Sequence, residues 1–136
     1  MDMDLIKKSP WIYHLNTGGC IGCDIELMAC ITPKYDIERL GCLLKGSPRH
    51  ADILVVTGPL TRQTRERAKR IYDQMPKKKI VVALGSCGIT GGIFKECYCE
   101  AGPIDKDIHV DIYVPGCPPR PEAIIYGIKK ALEKLQ

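Results

Sequence analysis

Three short apolar runs in this chain each break off into a glycine-flanked cysteine. Trp11-Ile12-Tyr13-His14-Leu15 leads to Gly18-Gly19-Cys20-Ile21-Gly22-Cys23, Lys79-Ile80-Val81-Val82-Ala83-Leu84 to Gly85-Ser86-Cys87-Gly88, and Val110-Asp111-Ile112-Tyr113-Val114 to Pro115-Gly116-Cys117-Pro118. In an open parallel sheet the carboxyl ends of the strands and the loops after them form one rim, where ligands bind. A fold that makes these runs parallel strands of one sheet brings Cys20, Cys23, Cys87 and Cys117 to a single edge.

The rest of the chain suits such a sheet. Ala51 to Pro59 is continuously apolar rather than alternating, the pattern of a strand covered on both faces. A helix is expected over Asp24–Ile31, with Asp24 near its N-cap and Thr32-Pro33 at its end. Tyr35–Gly41 adds a further turn, and Cys42-Leu43-Leu44 reads as a short edge strand. A second helix is expected from Thr61 to Met75, with Ala68, Ile71, Tyr72 and Met75 inward and Arg62, Arg65, Arg67, Lys69 and Arg70 outward. The last helix opens at Pro121 and Glu122 and turns Ile124, Ile125, Ile128, Leu132 and Leu135 inward. Alternating strands and helices predict an α/β fold, an open parallel sheet with helices on both faces. Right-handed crossovers leave few topologies, of which the flavodoxin-like order is expected. The 136 residues make one domain, residues 1–136, with no repeat, linker or low-complexity tract.

Composition narrows the function. A net charge of +4 with one Phe, one Trp and six Tyr offers little to nucleic acid, which is set aside. Met1 to Lys8 has no apolar core of signal-peptide length, and no stretch approaches the apolar length of a membrane span. Eight cysteines in a chain of this size without a signal point to metal or redox chemistry rather than disulfides.

Four convergent thiolates are what a cubane iron–sulfur cluster needs. A thiol must lose its proton to bind metal, and a helix start assists through its unpaired N–H groups and dipole, the expected setting of Cys23. Three other readings compete. Cys20/Cys23 is placed like a thioredoxin-type redox pair, four thiolates also suit structural zinc, and free cysteines are common in cores. Cys87 and Cys117 at strand ends favour a metal site, since a thiol–disulfide enzyme has no use for them. Spacing alone does not separate zinc from iron–sulfur.

Trp11-Ile12-Tyr13-His14, Cys20-Ile21-Gly22-Cys23-Asp24-Ile25-Glu26, Tyr35-Asp36-Ile37-Glu38-Arg39-Leu40-Gly41, Ser47-Pro48-Arg49-His50-Ala51-Asp52, Gly85-Ser86-Cys87, Gly91-Gly92 and Val114-Pro115-Gly116-Cys117-Pro118-Pro119-Arg120-Pro121-Glu122-Ala123 together resemble one family. It is the small iron–sulfur subunit shared by respiratory complex I and nickel–iron hydrogenases, and the resemblance spans about residues 10–135. It implies one 4Fe-4S cluster on Cys20, Cys23, Cys87 and Cys117. The complex I subunit has two adjacent cysteines at the first ligand position, whereas C-x-x-C is the hydrogenase form. The long C-terminal hydrogenase domain is absent, so the chain most resembles the small subunit of membrane-bound, energy-converting hydrogenases. Complex I-like and sulfur-reducing complexes carry a similar subunit. The implied partners are a large nickel–iron-hydrogenase-type catalytic subunit, a two-cluster ferredoxin-like subunit that supplies electrons, and ion-pumping membrane subunits. The implied place is peripheral, on the cytoplasmic side of the membrane.

Cys30, Cys42, Cys97 and Cys99 are left over and read as free cysteines, with half of a second metal site at Cys97-Tyr98-Cys99 as the alternative. Glu26 is either a carboxylate at a subunit interface or a first-turn acid favoured by the helix dipole. His14 and His50 read as structural, His109 as solvent-facing, and Arg49 as a partner for an interface acid. The basic face of the Thr61–Met75 helix reads as a solvated surface, with attraction to anionic lipid as the alternative.

Overall fold

The computed structural model describes residues 8–134. Its strands are β1 (Trp11–Asn16), β2 (Leu43–Leu44), β3 (Ile53–Thr57), β4 (Leu60–Thr61), β5 (Ile80–Leu84), β6 (Glu100–Gly102) and β7 (Ile112–Val114). The α-helices are α1 (Gly22–Ala29), α2 (Arg65–Gln74), α3 (Ser86–Thr90) and α4 (Pro121–Lys134). Five strands form one parallel sheet in the order β2-β1-β3-β5-β7. Numbered among themselves these strands run 2-1-3-4-5, the flavodoxin-like order expected from the sequence.

The continuous apolar runs follow from burial on both faces. Every residue of β3 and β5 is buried. Ile53, Val55, Ile80, Val82 and Leu84 face one core with Leu27 of α1 and Ile124, Ile128 and Ala131 of α4. Leu54, Val56, Val81 and Ala83 face the other, with Ala68 of α2, Met75, Ile104 and Ile108. Covering such a side chain contributes roughly 1.5–3 kcal/mol relative to leaving it in water. The inward lines expected for α2 and α4 are those observed, and Leu135 lies outside the described residues.

Several boundaries differ from the sequence reading. The helix expected from Thr61 starts at Arg65, because the Thr61 and Thr64 hydroxyls bond to each other (2.8 Å) and close a turn first. Leu60 and Thr61 instead form β4, antiparallel to β6 in a small second sheet. Strand β7 begins only at Ile112, since Asp111 spends its carboxylate on the Val81 N–H (2.9 Å). Cys87 lies in the short helix α3 rather than in a loop. Helix α1 is entered from Ile21, and Asp24 stands inside its first turn. No helix among the described residues is long and apolar enough to cross a membrane.

The basic side of α2 is only partly free. Arg65 donates to both oxygens of Asp107 (2.7 and 2.8 Å), Lys69 reaches the same carboxylate at 3.1 Å, and Arg62 lies over the Tyr98 ring. The Asp107 side chain is only 6% exposed, so the clamp pins α2 to the Ile104–Lys106 turn. The Arg65 hydrogen bond, with Lys69 behind it, holds the Asp107 carboxyl below its ordinary range against the opposing effect of burial. A carboxyl whose pKa is lower folded than unfolded contributes stability above the unfolded value, about 3.9, and loses it as pH falls through the folded value. Urea unfolding of Asp107→Asn should show lower stability than wild type at neutral pH. That deficit should shrink as the pH is taken below the ordinary aspartate range.

Candidate metal centre

The loop after β1 is lashed to the end of β3. Asn16 Oδ1 accepts the N–H groups of Gly18 (2.8 Å) and Gly19 (3.1 Å), and the Thr17 hydroxyl donates to the carbonyls of Thr57 and Gly58 (both 3.0 Å). Gly58 has φ 82°, and a Cβ there would stand 2.3 Å from the Gly19 nitrogen, so only glycine lets the two backbones touch. The chain then enters α1 through Ile21 at φ 73°, with no side-chain cap on the helix. A β-branched residue in that region costs about 1–2 kcal/mol, which the surroundings must offset.

Cys23 follows within the first turn of α1, half-buried, and Cys20 before it is exposed. The loops after β5 and β7 are tied together by Gly85 N–H to Val114 (2.8 Å), Ser86 N–H to Gly116 (2.9 Å) and the Ser86 hydroxyl to Gly116 (3.2 Å). Cys87 is buried at 7% exposure and Cys117 is exposed. A Cβ on Gly85, at φ 85°, would fall 2.5 Å from Cys23 Sγ, so the sulfur of the first loop lies directly over the second. The three cysteine segments thus share the carboxyl edge of β1, β5 and β7.

Burial, then the negative fields of Cys87, Cys20, Asp24 and Cys117, push the Cys23 thiol up to about 11. Burial also raises Cys87, followed by Cys117 and Cys20, with the Ile93 N–H on its sulfur opposing them. Ionising one thiol penalises the others until a cation sits between them.

The donor set is four sulfurs, a soft set suited to zinc or iron–sulfur. Zinc would draw its thiolates to within about 3.8 Å of one another, from a Zn–S bond of about 2.3 Å. Among the described residues no three His, Cys, Asp or Glu side chains are gathered closely enough for a single metal ion. A cubane takes one thiolate to each of four irons, and the four cysteines of this edge match that demand in number and in donor type.

Sequence reasoning missed a polar network behind the first pair. Asn16 Nδ2 donates to Asp24 Oδ2, the Thr57 hydroxyl donates to Asp24 Oδ1, and His14 Nε2 lies 3.1 Å from both Asp24 Oδ1 and Thr57 Oγ1. The available signal was strand parity, since His14 and Asn16 fall on the same face of β1 as buried Ile12. His14 is structural, as expected. His50 packs edge-on against Trp11, and His109 is exposed beside Asp111 (3.2 Å).

Cys30 and Cys42 are buried, and the Cys30 thiol donates to the Glu26 and Pro121 carbonyls (3.4 and 3.5 Å). Cys97 and Cys99 are exposed on the turn before β6. Glu26 lines a groove with Tyr35, Pro118 and Arg120, next to the Cys117 loop. Arg49 is exposed in the turn Pro48–His50, before the amino end of β3 and away from the cysteines. Large apolar side chains are exposed on the segments that carry or adjoin the cysteines: Ile21, Ile25 and Met28 on the first, Ile93 after the second.

A probable membrane-bound hydrogenase subunit of Pyrococcus furiosus is 57% identical over 130 residues, 96% of this chain and 78% of that protein. A subunit in the structure of an archaeal membrane-bound sulfane sulfur reductase superposes with a TM-score of 0.85 at 42% identity, covering 98% of this chain and 73% of that one. A chain of an NAD+-reducing nickel–iron hydrogenase shares the fold alone, with a TM-score of 0.71 at 18% identity over 93% of this chain and 92% of that one. The family described as NADH ubiquinone oxidoreductase, 20 Kd subunit, matches residues 20–131, from the first cysteine of the rim to the last helix, and this chain belongs to it.

Proposed function

We propose that Cys20, Cys23, Cys87 and Cys117 hold one 4Fe-4S cluster, and that the chain is a non-catalytic electron-transfer subunit of a membrane-bound, hydrogenase-type complex. The observation that carries this reading is the convergence of four thiols from the segments after β1, β5 and β7 on one edge of the sheet, with the Cys23 sulfur set over Gly85. A cluster held there would supply one-electron redox chemistry at a potential set by its surroundings. The chain's own residues supply those surroundings. Buried Cys87 and half-buried Cys23 back the site against the sheet, and the Ile93 N–H addresses the Cys87 sulfur. Cys20 and Cys117 leave the outer side open, so a partner's redox centre can come near.

The apolar side chains Ile21, Ile25, Met28 and Ile93 are the proposed seat of a large nickel–iron-hydrogenase-type subunit. Electrons arrive from a two-cluster ferredoxin-like subunit and leave to the large subunit's active site. Membrane subunits anchor the whole, with this chain peripheral on the cytoplasmic side. Hydrogen chemistry is preferred to sulfur reduction because the relative at 57% identity is named for a hydrogenase, against 42% for the sulfane sulfur reductase.

Anaerobic purification with metal analysis and electron paramagnetic resonance tests this. The expected result is about four irons per chain and a paramagnetic signal on reduction, both lost in Cys87→Ser and Cys117→Ser. Stoichiometric zinc without iron, or thiol–disulfide exchange activity that survives both substitutions, rejects the reading. Gly85→Ala puts a methyl group 2.5 Å from Cys23 Sγ. It should lose most of the iron while far-ultraviolet circular dichroism stays that of wild type.

A further inference from the structure

We infer that Asp24 is a positioning residue for the Cys20/Cys23 pair, its carboxylate anchoring the first turn of α1 to the ends of β1 and β3. The inference rests on the proposed role of that pair as ligands, but its geometry stands without any bound iron. Helix α1 lacks a side-chain cap and is entered through the left-handed Ile21, so its first turn needs an anchor from elsewhere. Asp24 provides one. Both its oxygens are taken, Oδ1 by Thr57 and His14 and Oδ2 by Asn16, and its side chain is only 15% exposed.

The three partners stand on paired parallel strands, with Asn16 opposite Thr57 in the β1·β3 register. Asn16 also holds the Gly18 and Gly19 N–H groups, so one network reaches both the approach to Cys20 and the turn carrying Cys23. A role in activating the thiol is the wrong sign. The Asp24 charge disfavours the Cys23 thiolate, and a metal ligand must be deprotonated. What the carboxylate contributes is position.

The test measures alkylation of individual cysteines by iodoacetamide in the full chain before iron is added, resolved by peptide mass spectrometry. Exposed Cys97 and Cys99 serve as internal references. Thr57→Val keeps shape and charge and removes one donor to Asp24. Cys23 should then react about tenfold faster than in wild type, the loss of one hydrogen bond to a charged group, with the references unchanged. Asp24→Asn and Asp24→Ala both remove the charge, so its effect on the thiol is common to them. Asn keeps an oxygen for Thr57 and His14, and Cys23 should react about tenfold more slowly in it than in Ala. After iron reconstitution, Thr57→Val should also shift the g-values of the reduced cluster.

Equal Cys23 rates in wild type and Thr57→Val overturn the inference, as do equal rates in the Asn and Ala variants. Should Asp24→Ala fail to fold, the Thr57→Val comparison decides alone. A wild-type chain that takes up no iron defeats the proposed function and leaves the alkylation result to judge Asp24 separately.

Discussion

The gathering of four thiols at one carboxyl edge of the sheet is the constraint on which the chemistry open to this chain depends. Cys23 and Cys87 are both raised, first by burial and then by the other sulfurs, so these two thiols hold their protons more firmly than a free cysteine. A cation set between the sulfurs reverses that balance, because metal binding and deprotonation are one coupled event. The backbone N–H groups of Ile93 and of Cys87 itself already favour the charged form at Cys87. The remainder of the fold keeps these sulfurs near one another.

Two devices achieve this. One is a parallel sheet whose central strands, β3 and β5, are covered on both faces and so give a rigid base. The other is close backbone approach at the rim. Gly58 against Gly19 brings the loop after β1 onto the end of β3, and Gly85 leaves room for the Cys23 sulfur over the loop after β5. The Ser86–Gly116 bonds then join the second cysteine loop to the third. Each contact links segments distant in sequence, so the site exists only once the sheet has formed.

Much of this was legible in the sequence, for identifiable reasons. Burial on both faces leaves apolar runs unbroken, which revealed β3 and β5. Strand-to-helix alternation together with crossover handedness led to the flavodoxin-like order. The glycine-flanked cysteines at strand ends indicated the rim. Strands β4 and β6 were not legible, since two or three residues carry no periodicity and their pairing depends on tertiary contact. Helix α3 was hidden for a similar reason: Ser86-Cys87-Gly88-Ile89-Thr90 has poor intrinsic helix propensity, and Gly88 packs against Ile104 and the Gly58 carbonyl. Asp24 does stand near the helix start, but its three partners on neighbouring strands are tertiary and leave no local signal.

Family membership and geometry both suit the proposed role, in which a redox centre sits at an edge accessible to partners. Exposed apolar residues around that edge suit a chain seated against other subunits, as proposed. Anomalous diffraction at the iron edge, from anaerobic crystals of the reconstituted chain, tests the central claim most directly. The account predicts one compact group of iron peaks enclosed by the sulfurs of Cys20, Cys23, Cys87 and Cys117. Peaks elsewhere, a lone zinc peak, or a Cys117 sulfur turned away from the iron would contradict it.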